Sequence, residues 1–594
     1  MPANTMLEHA SHFSRAEQKV REHIFTLVVK AAGRPVTPAE APLVYPPATV
    51  AGDFALPCFQ IGKLFGASPV DTAAMLSQGI QPLLAKYPQL ERVEPAGPYV
   101  NFYLNRNKFA AEVLEEIEKS RNTYGQAKIG QGKRIMIEYF SPNTNKQLTI
   151  GHVRNMLLGC SLQEIFKFLG YKVVSATINN DRGIAIAKVI VAYQKWGEGK
   201  TPKTEGMKPD HFVGSLYVRF GQAVSQQPQL DAEAKAVLKK WEAGDKKTIA
   251  VWKKLMAWVQ AGFSETLARL DVDKFDENYF ESEIYTQGRD LVEKGLKKGA
   301  LVQGEDGVII APLEKTKGLP DKVVLRSDGT SVYVTQDIYL ASLKAKHKLD
   351  MSIYVVGSEQ DLYLKQLFAI LDLLNLPGVG VTRHLSYGMI RLPDGKIKSR
   401  EGVVEGTAAD DILDELETLA KAEIKKRDPD ISKKDLTERA RQIGLAAIKF
   451  YILQVDPKTT MVFEPQRSIA LTGHTGPYLQ YVHARINGIF EKAEGSSLPK
   501  NSVNDFSNDT EFILVKLLSR FPNTLSETAA KFSPARLADY LYELARAFSA
   551  FYEDVPILKG EPSLQPQRLA LLKATQTVMR TGLELLGIPT PKKM

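Results

Sequence analysis

Cysteine is almost absent. Cys58 and Cys160 are the only two in 594 residues, which excludes a disulfide framework and a four-cysteine zinc site. The nine histidines show no metal-ligand spacing, so no zinc and no other bound metal is expected. No run approaches the roughly 18–20 apolar residues of a membrane span. Met1 to Lys19 mixes polar residues, His and both charges, unlike a secretory leader. A cytoplasmic protein without a membrane partner is the expectation. Neither sign of charge dominates: Lys+Arg is 77 against Asp+Glu 68, a net +9. Such an excess suits a polyanionic partner without demanding one. The composition, 44% hydrophobic and 24% charged, is that of an ordinary globular protein. The length is too great for one core, and about three to four domains are expected.

Residues 12–33 read as an amphipathic helix, with Phe13, Val20, Ile24, Leu27 and Val28 on one stripe. A proline-rich stretch, a helix-like run over 68–86 and an alternating strand over 99–104 follow. These predict a small α+β domain over 1–128, ending at the glycine-rich segment 125–132. From Lys133 the pattern becomes strand, helix, strand, helix, at 134–140, 151–169, 172–178 and about 184–196. That is the opening of a doubly wound, Rossmann-like parallel sheet. Residues from about 197 to 300 look mostly helical and charged, as in an insertion. Strand signals resume at 323–325, 331–334 and 352–356, followed by a helix over 361–375, so the α/β unit is expected over 129–407. From 408 to 594 helical periodicity takes over, at 408–427, 433–454, 465–492, 510–530, 534–553 and 566–587. An all-α C-terminal domain is the reading.

Ser141-Pro-Asn-Thr-Asn-Lys-Gln-Leu-Thr-Ile-Gly-His-Val-Arg-Asn155 lies between the first of these strands and its helix. A polar loop that opens a helix after a strand is where α/β enzymes hold phosphates. The first N–H groups of the helix lack internal partners, and the macrodipole favours negative charge there. Gly151 permits close approach, and Lys146 and His152 offer donors. About 240 residues later comes a second small basic loop, Asp394 to Gly402, with Lys396, Ile397, Lys398, Ser399 and Arg400. Together the two suit a reaction in which a carboxylate attacks the α-phosphate of ATP. Developing charge then needs positioned donors and cations.

The first segment closely resembles the HIGH motif of class I aminoacyl-tRNA synthetases, in the wording of the arginyl family of bacterial type. The second resembles that family's variant of the KMSKS loop. The resemblance implies ATP with Mg²⁺ as substrate. It places Pro142, Asn143, Thr149, Gly151, His152, Asn155 and Ser399 around the nucleotide, and Lys146, His152, Lys396 and Lys398 on its phosphates. Thr149 stands where the family pattern usually has its first His; an N-cap role for the hydroxyl is the alternative.

The resemblance also implies an arginine pocket. Tyr333, Asp337 and Gln360 fall on the guanidinium, and Glu138 and Asn143 near the ammonium and carboxylate end. Carboxylates and neutral acceptors are what a planar, permanently charged, donor-rich group requires. Glu138, on an otherwise apolar strand, calls for a nearby cation, from substrate or protein. Tyr333 is readable as a core residue, and a lone Asp such as Asp337 as a cap. Gly476 to Arg485 and Ser533 to Tyr542 resemble the family's DALR-type anticodon-binding helices. Tyr478, Tyr481, Arg485 and the terminal Met594 are the implied tRNA contacts, with Tyr and Leu at helical spacing also suiting a core. Residues 1–128 resemble the family's extra domain that meets the tRNA corner. The expectation is a monomeric arginine–tRNA ligase. Its alternatives are another class I synthetase, a small-molecule adenylyltransferase, and a non-catalytic RNA-binding relative.

Overall fold

In the computed structural model, which describes residues 12–47, 50–391, 408–493 and 505–594, Ser14 starts the first helix. Its hydroxyl accepts the Glu17 N–H at 3.2 Å, and Gly33 ends the Arg15–Ala32 helix at φ 63°. Val20, Ile24, Leu27 and Val28 are buried on one stripe. They pack with the Pro69–Ile80 helix beside an antiparallel sheet of β1 (Phe54–Pro57), β2 (Leu90–Ala96) and β3 (Tyr99–Leu104), ordered β1-β3-β2. This N-terminal unit rests on the C-terminal helices. Tyr124 OH donates to Leu518 O at 3.0 Å, and Lys516 pairs with Asp53 at 2.9 Å.

The central sheet contains β4 (Arg134–Glu138), β5 (Lys172–Asn179) and β6 (Glu277–Phe280). Three short strands, β7 (Val302–Gln303), β8 (Ile309–Ala311) and β9 (Lys322–Leu325), form a separate antiparallel sheet. β10 (Met351–Gly357) and β11 (Val381–Tyr387) return to the central one. Its order is β11-β10-β4-β5-β6, with every pair parallel. β4 and β10 lie in the middle, and Ile135, Ile137, Ile353 and Val355 are buried. Strands covered on both faces read as apolar runs. The Ile150–Phe168 helix packs so closely that a Cβ at Gly159 would meet the Tyr139 ring at 2.3 Å. Five parallel strands, an N-terminal α+β unit and a helical C-terminal unit are the expected fold class.

Five features differ from the sequence reading. Residues 331–334 are no strand: the Tyr333–Lys344 helix begins there. The Thr335 hydroxyl accepts the Val332 N–H at 2.9 Å and donates to Val324 O at 2.5 Å, so a tertiary cap overrides the β preference of Val-Tyr-Val. Residues 323–325 do form a strand, but in the small antiparallel sheet. The stretch read as a helical insertion contains β6, which pairs with β5. The run 465–492 is broken into Pro465–Ser468 and Gly476–Ala493. Gly476 lies where a Cβ would meet Ala446 O at 2.0 Å, so the chain turns in contact with the Lys433–Leu453 helix. β12 (Ile390–Arg391), in the α/β unit, also pairs in parallel with β13 (Met461–Val462), a strand within the region read as helical.

Candidate active site

β4 ends at Glu138, and Phe140 then adopts φ 57°. A left-handed non-glycine residue costs of order 1–3 kcal/mol and needs surroundings that impose it. Here the Phe140 N–H donates to Asn155 Oδ1, the Thr177 hydroxyl donates to Phe140 O, and the ring stacks on Phe275 at 5.9 Å. The loop therefore leaves the sheet in a fixed direction. It runs beside the turn after β5: Asn180 N–H donates to Pro142 O at 3.4 Å, and the Thr144 hydroxyl to Asn180 O at 2.8 Å. The insertion supports it from behind, since a Cβ at Gly214 would meet Gln147 N at 3.3 Å. Asn143 is exposed at the loop's crest, and Pro142 is buried.

Thr149 is the N-cap of the Ile150–Phe168 helix. Its N–H donates to His152 Nδ1 at 3.0 Å, and its hydroxyl lies 2.9 Å from the same nitrogen. A ring nitrogen that accepts from a backbone N–H carries no proton, so neutral His152 holds its hydrogen on Nε2. Burial, reinforced by the charge of Lys146, pushes His152 down to about 4, so the neutral form prevails at neutral pH. Burial also lowers Lys146. His152 Nε2–H and the N–H groups of Ile150 and Gly151 form a donor set at a positive helix end. A Cβ at Gly151 would touch only Thr149 Oγ1, at 3.7 Å.

Asn155 is placed differently from its expected ATP contact. Its amide accepts from Phe140 N–H and donates to Val355 O at 2.7 Å and Tyr387 OH at 3.3 Å. It ties β4, β10 and β11 together at the end of the sheet. Arg154 gave no sequence signal. It is fully buried, and its guanidinium donates to Gly388 O (2.8 Å), Met389 O (3.3 Å), Asp456 O (3.4 Å), Pro457 O (3.1 Å) and Thr459 O (2.9 Å). The helix that carries His152 is thereby bound to the segment before residue 392. Past residue 407, Ala409 N–H donates to Leu148 O at 2.9 Å, and Ala408 bridges Thr149. Lys396, Lys398 and Ser399 lie outside the described residues.

Glu138, 7% exposed, forms an ion pair with Lys344, 2% exposed. The cation called for at Glu138 is thus a protein side chain. Asp337, on the same helix as Lys344, accepts a hydrogen bond from Tyr363 OH. Burial pushes Asp337 up to about 6; the Tyr363 bond pulls down, Glu138 pushes up and Lys344 pulls down. Tyr333, at the start of that helix, is 76% exposed, which excludes the core reading. Gln360, also exposed, precedes the Asp361–Leu374 helix that supplies Tyr363. The structure brings Glu138, Asp337, Lys344 and Tyr363 together at the carboxyl end of the central strands, where open α/β sheets take ligands. Lys344 was missed because a false strand at 331–334 hid the two-turn spacing of Asp337 and Lys344 on one helix face, and Tyr363 because its contact with Asp337 is tertiary.

In the turn after β5, Asp181 accepts from Ser282 N–H at 2.8 Å. Arg182 pairs with Glu242 at 2.6 Å and lies 3.8 Å from the Tyr285 ring centroid. Asp210, His211 and Asp410 approach within 4.8 Å, an arrangement open to a metal. Lys208 already lies 3.0 Å from Asp210 and 2.9 Å from Asp410, and Arg269 lies 3.2 Å from Asp410. The cluster works as an ion-pair network joining the insertion to the Ala409–Arg427 helix.

In the helical domain, Arg485 is exposed and lies 4.8 Å from the Tyr481 ring and 4.6 Å from the Tyr552 ring. Those three and Met594 line one hollow. Tyr478 does not join them. Its hydroxyl meets Ser549 Oγ at 2.9 Å and its ring packs on Tyr542. No described helix is long and apolar enough to cross a membrane.

Comparisons with known proteins follow this geometry. Residues 113–464 match the family model described as tRNA synthetases class I (R), catalytic domain. Residues 16–104 match the arginyl tRNA synthetase N terminal domain, and 479–594 the DALR anticodon binding domain. The chain is 42% identical over 573 residues to an arginine–tRNA ligase of Treponema denticola, covering 93% of this chain and 95% of that one. It is 39% identical over 569 residues to one of Porphyromonas gingivalis, covering 91% and 94%. The solved arginyl-tRNA synthetase of Thermus thermophilus superposes with a TM-score of 0.79 at 26% identity, covering 97% of this chain and all of that one.

Proposed function

The chain belongs to the arginyl family of class I aminoacyl-tRNA synthetases, and from that premise we propose that it ligates L-arginine to the 3′ end of tRNA(Arg) with ATP, through an arginyl-adenylate. The observation that carries the arginine reading is the carboxylate of Asp337, held by Tyr363 beside the Glu138–Lys344 pair. It supplies a counter-charge that a guanidinium needs and most amino-acid side chains cannot use. Tyr333, exposed at the start of the same helix, and Gln360 complete the guanidinium site. Glu138 and Asn143 take the ammonium and carboxylate end.

The α-phosphate of ATP lies against the Ile150 and Gly151 N–H groups and His152 Nε2–H, with Lys146 alongside. A neutral donor that needs no reorganisation suits charge that develops only in the transition state. Pro142 shapes the loop, Thr149 orients His152, and Asn155 holds the strand ends. Lys396, Lys398 and Ser399 act on the leaving pyrophosphate. Mg²⁺ arrives with the nucleotide, held by phosphates and water, and no zinc takes part. Transfer to the tRNA is then chiefly positioning.

Tyr481, Arg485 and Met594 face the anticodon loop, where aromatic rings stack on bases and Arg holds phosphate. Tyr478 stiffens their helix. The N-terminal unit, 1–128, meets the tRNA corner, the catalytic unit spans 129–407, and the anticodon unit spans 408–594. The enzyme acts as a cytoplasmic monomer. The test is ATP–pyrophosphate exchange with each of the twenty amino acids, with and without tRNA. Exchange with arginine alone, and only when tRNA is added, is expected. Exchange with another amino acid would overturn the assignment, and strong exchange without RNA would overturn the tRNA requirement.

A further inference from the structure

The arginine site described above leaves one buried ion without a role. Lys344 closes the Tyr333–Lys344 helix with 2% of its surface exposed. Its ammonium pairs with Glu138 Oε2 and lies 4.0 Å from the Tyr354 ring centroid. Glu138 Oε1 takes no hydrogen bond from the described residues. Asp337 lies two turns earlier on the same helix face. Its hydrogen bond comes from Tyr363, on the Asp361–Leu374 helix.

We propose that Lys344 is a positioning residue of the arginine site: by cancelling the charge of Glu138, it leaves Asp337 as the net negative charge of the pocket and keeps it ionised for the guanidinium. The inference rests on the arginine-ligase reading and deepens it.

The physical reason is the company Asp337 keeps. Glu138 reaches it from β4, Lys344 from its own helix, Tyr363 from the Asp361–Leu374 helix and Tyr354 from β10. Glu281, from the Glu281–Ile284 helix, also interacts with it electrostatically, and Arg182 stands 4.0 Å from Glu281. Without Lys344, two carboxylates would share a half-buried wall with no cation of their own. Like charges so placed oppose each other's ionisation, so Asp337 keeps its proton to a higher pH. A protonated Asp337 offers no counter-charge and turns a donor toward a group that has only donors. Lys344 also holds Glu138 by one oxygen, which leaves Oε1 for the substrate ammonium. The burial of Lys344 is itself informative, since a charge is tolerated there only when paired.

The experiment measures the arginine Kd against pH by calorimetry, with tRNA present, for the wild type, Lys344→Met and Lys344→Arg. The wild type should weaken as pH falls through about 6, where Asp337 titrates. In Lys344→Met the inflection should move alkaline by at least about one unit. The gap to the wild type is then about tenfold at about pH 5 and closes by about pH 8. Lys344→Arg should restore the wild-type curve. An unmoved inflection in Lys344→Met, or a loss equal at every pH, would overturn the proposal and leave Lys344 a packing residue. If Lys344→Met does not fold, the same comparison is made between Glu138→Gln and Glu138→Gln/Lys344→Met, a background without the buried partner charge. Removing both partners together should keep the inflection near the wild-type value, and Glu138→Gln alone should move it acid; a Glu138→Gln inflection that stays in place would overturn the proposal. A wild type that binds no arginine at any pH would overturn the arginine reading instead.

Discussion

Arg154 offers the sharpest stability prediction, because its two terminal nitrogens, Nη1 and Nη2, are spent on five carbonyl oxygens at 2.8–3.4 Å. Its charge meets no ion pair among the described residues. Burial pushes Arg154 down to about 10, opposed by Tyr387 and Asp456, so it stays charged at neutral pH. Substituting Met strands Gly388 O and Thr459 O, whereas Met389 O, Asp456 O and Pro457 O keep the backbone N–H groups of Met461, Thr459 and Gly388. At about 1–3 kcal/mol for each unpaired buried group, the loss is about 2–6 kcal/mol. A domain has only about 5–15 kcal/mol in total, so Arg154→Met is expected to weaken the junction of catalytic and helical units by a large fraction of its stability. Substituting Lys keeps the charge and three donors. Its compact ammonium does not span Gly388 O and Thr459 O as the planar fork does, so one of them goes unpaired, for a loss of about 1 kcal/mol. Urea unfolding measures both losses. Arginine-dependent pyrophosphate exchange adds a functional readout: in Arg154→Lys the KM for ATP should rise several-fold more than the KM for arginine. The reason is that Arg154 joins the His152 helix to residues 388 and 389 and touches nothing in the arginine pocket. Wild-type stability in Arg154→Lys, or equal changes in both KM values, would refute the reasoning.

Three further outcomes follow from the geometry. Asp337→Asn removes the counter-charge, so the arginine KM should rise about a hundredfold, the acid inflection near pH 6 should vanish from its pH profile, and the ATP KM should stay within about threefold. His152, lowered to about 4, gains a proton only below that value; the adenylation rate should therefore show no histidine inflection between about pH 6 and 8, and His152→Ala should lower kcat about a hundredfold at every pH in that window. Arg485→Ala should raise the KM for tRNA, with the salt dependence of binding reduced by about one phosphate contact, while tRNA-independent arginine binding by calorimetry stays unchanged.

What the sequence disclosed was what local spacing encodes. The strand ending at Glu138, the loop and the helix that opens at Ile150 form one continuous stretch, so turn residues, cap and apolar periodicity all appear within about thirty positions. The C-terminal helices were legible for the same reason. Tertiary facts were hidden. Val332-Tyr333-Val334 carries a strand preference that the hydroxyl of Thr335 overrides by bonding to Val324 O. That misreading concealed Lys344 as the partner of Glu138. β6 is four residues long, and its pairing partner lies about a hundred positions upstream, beyond any local signal. Arg154 reads as one Arg in a helix, since its acceptors lie 234 to 305 residues further on. Tyr478 and Tyr481 share a helix face in sequence terms, and only the packing against Ser549 and Tyr542 separates them.

The central claim is that this site reads a guanidinium through Asp337. It is tested most directly by charging tRNA(Arg) with arginine or lysine, using the wild type and Asp337→Asn side by side. The account predicts that the wild type charges arginine and rejects lysine, and that Asp337→Asn loses arginine charging at low substrate and regains it as arginine is raised about a hundredfold. Lysine charged at a comparable rate by the wild type, or an arginine KM left unchanged by Asp337→Asn, would contradict it.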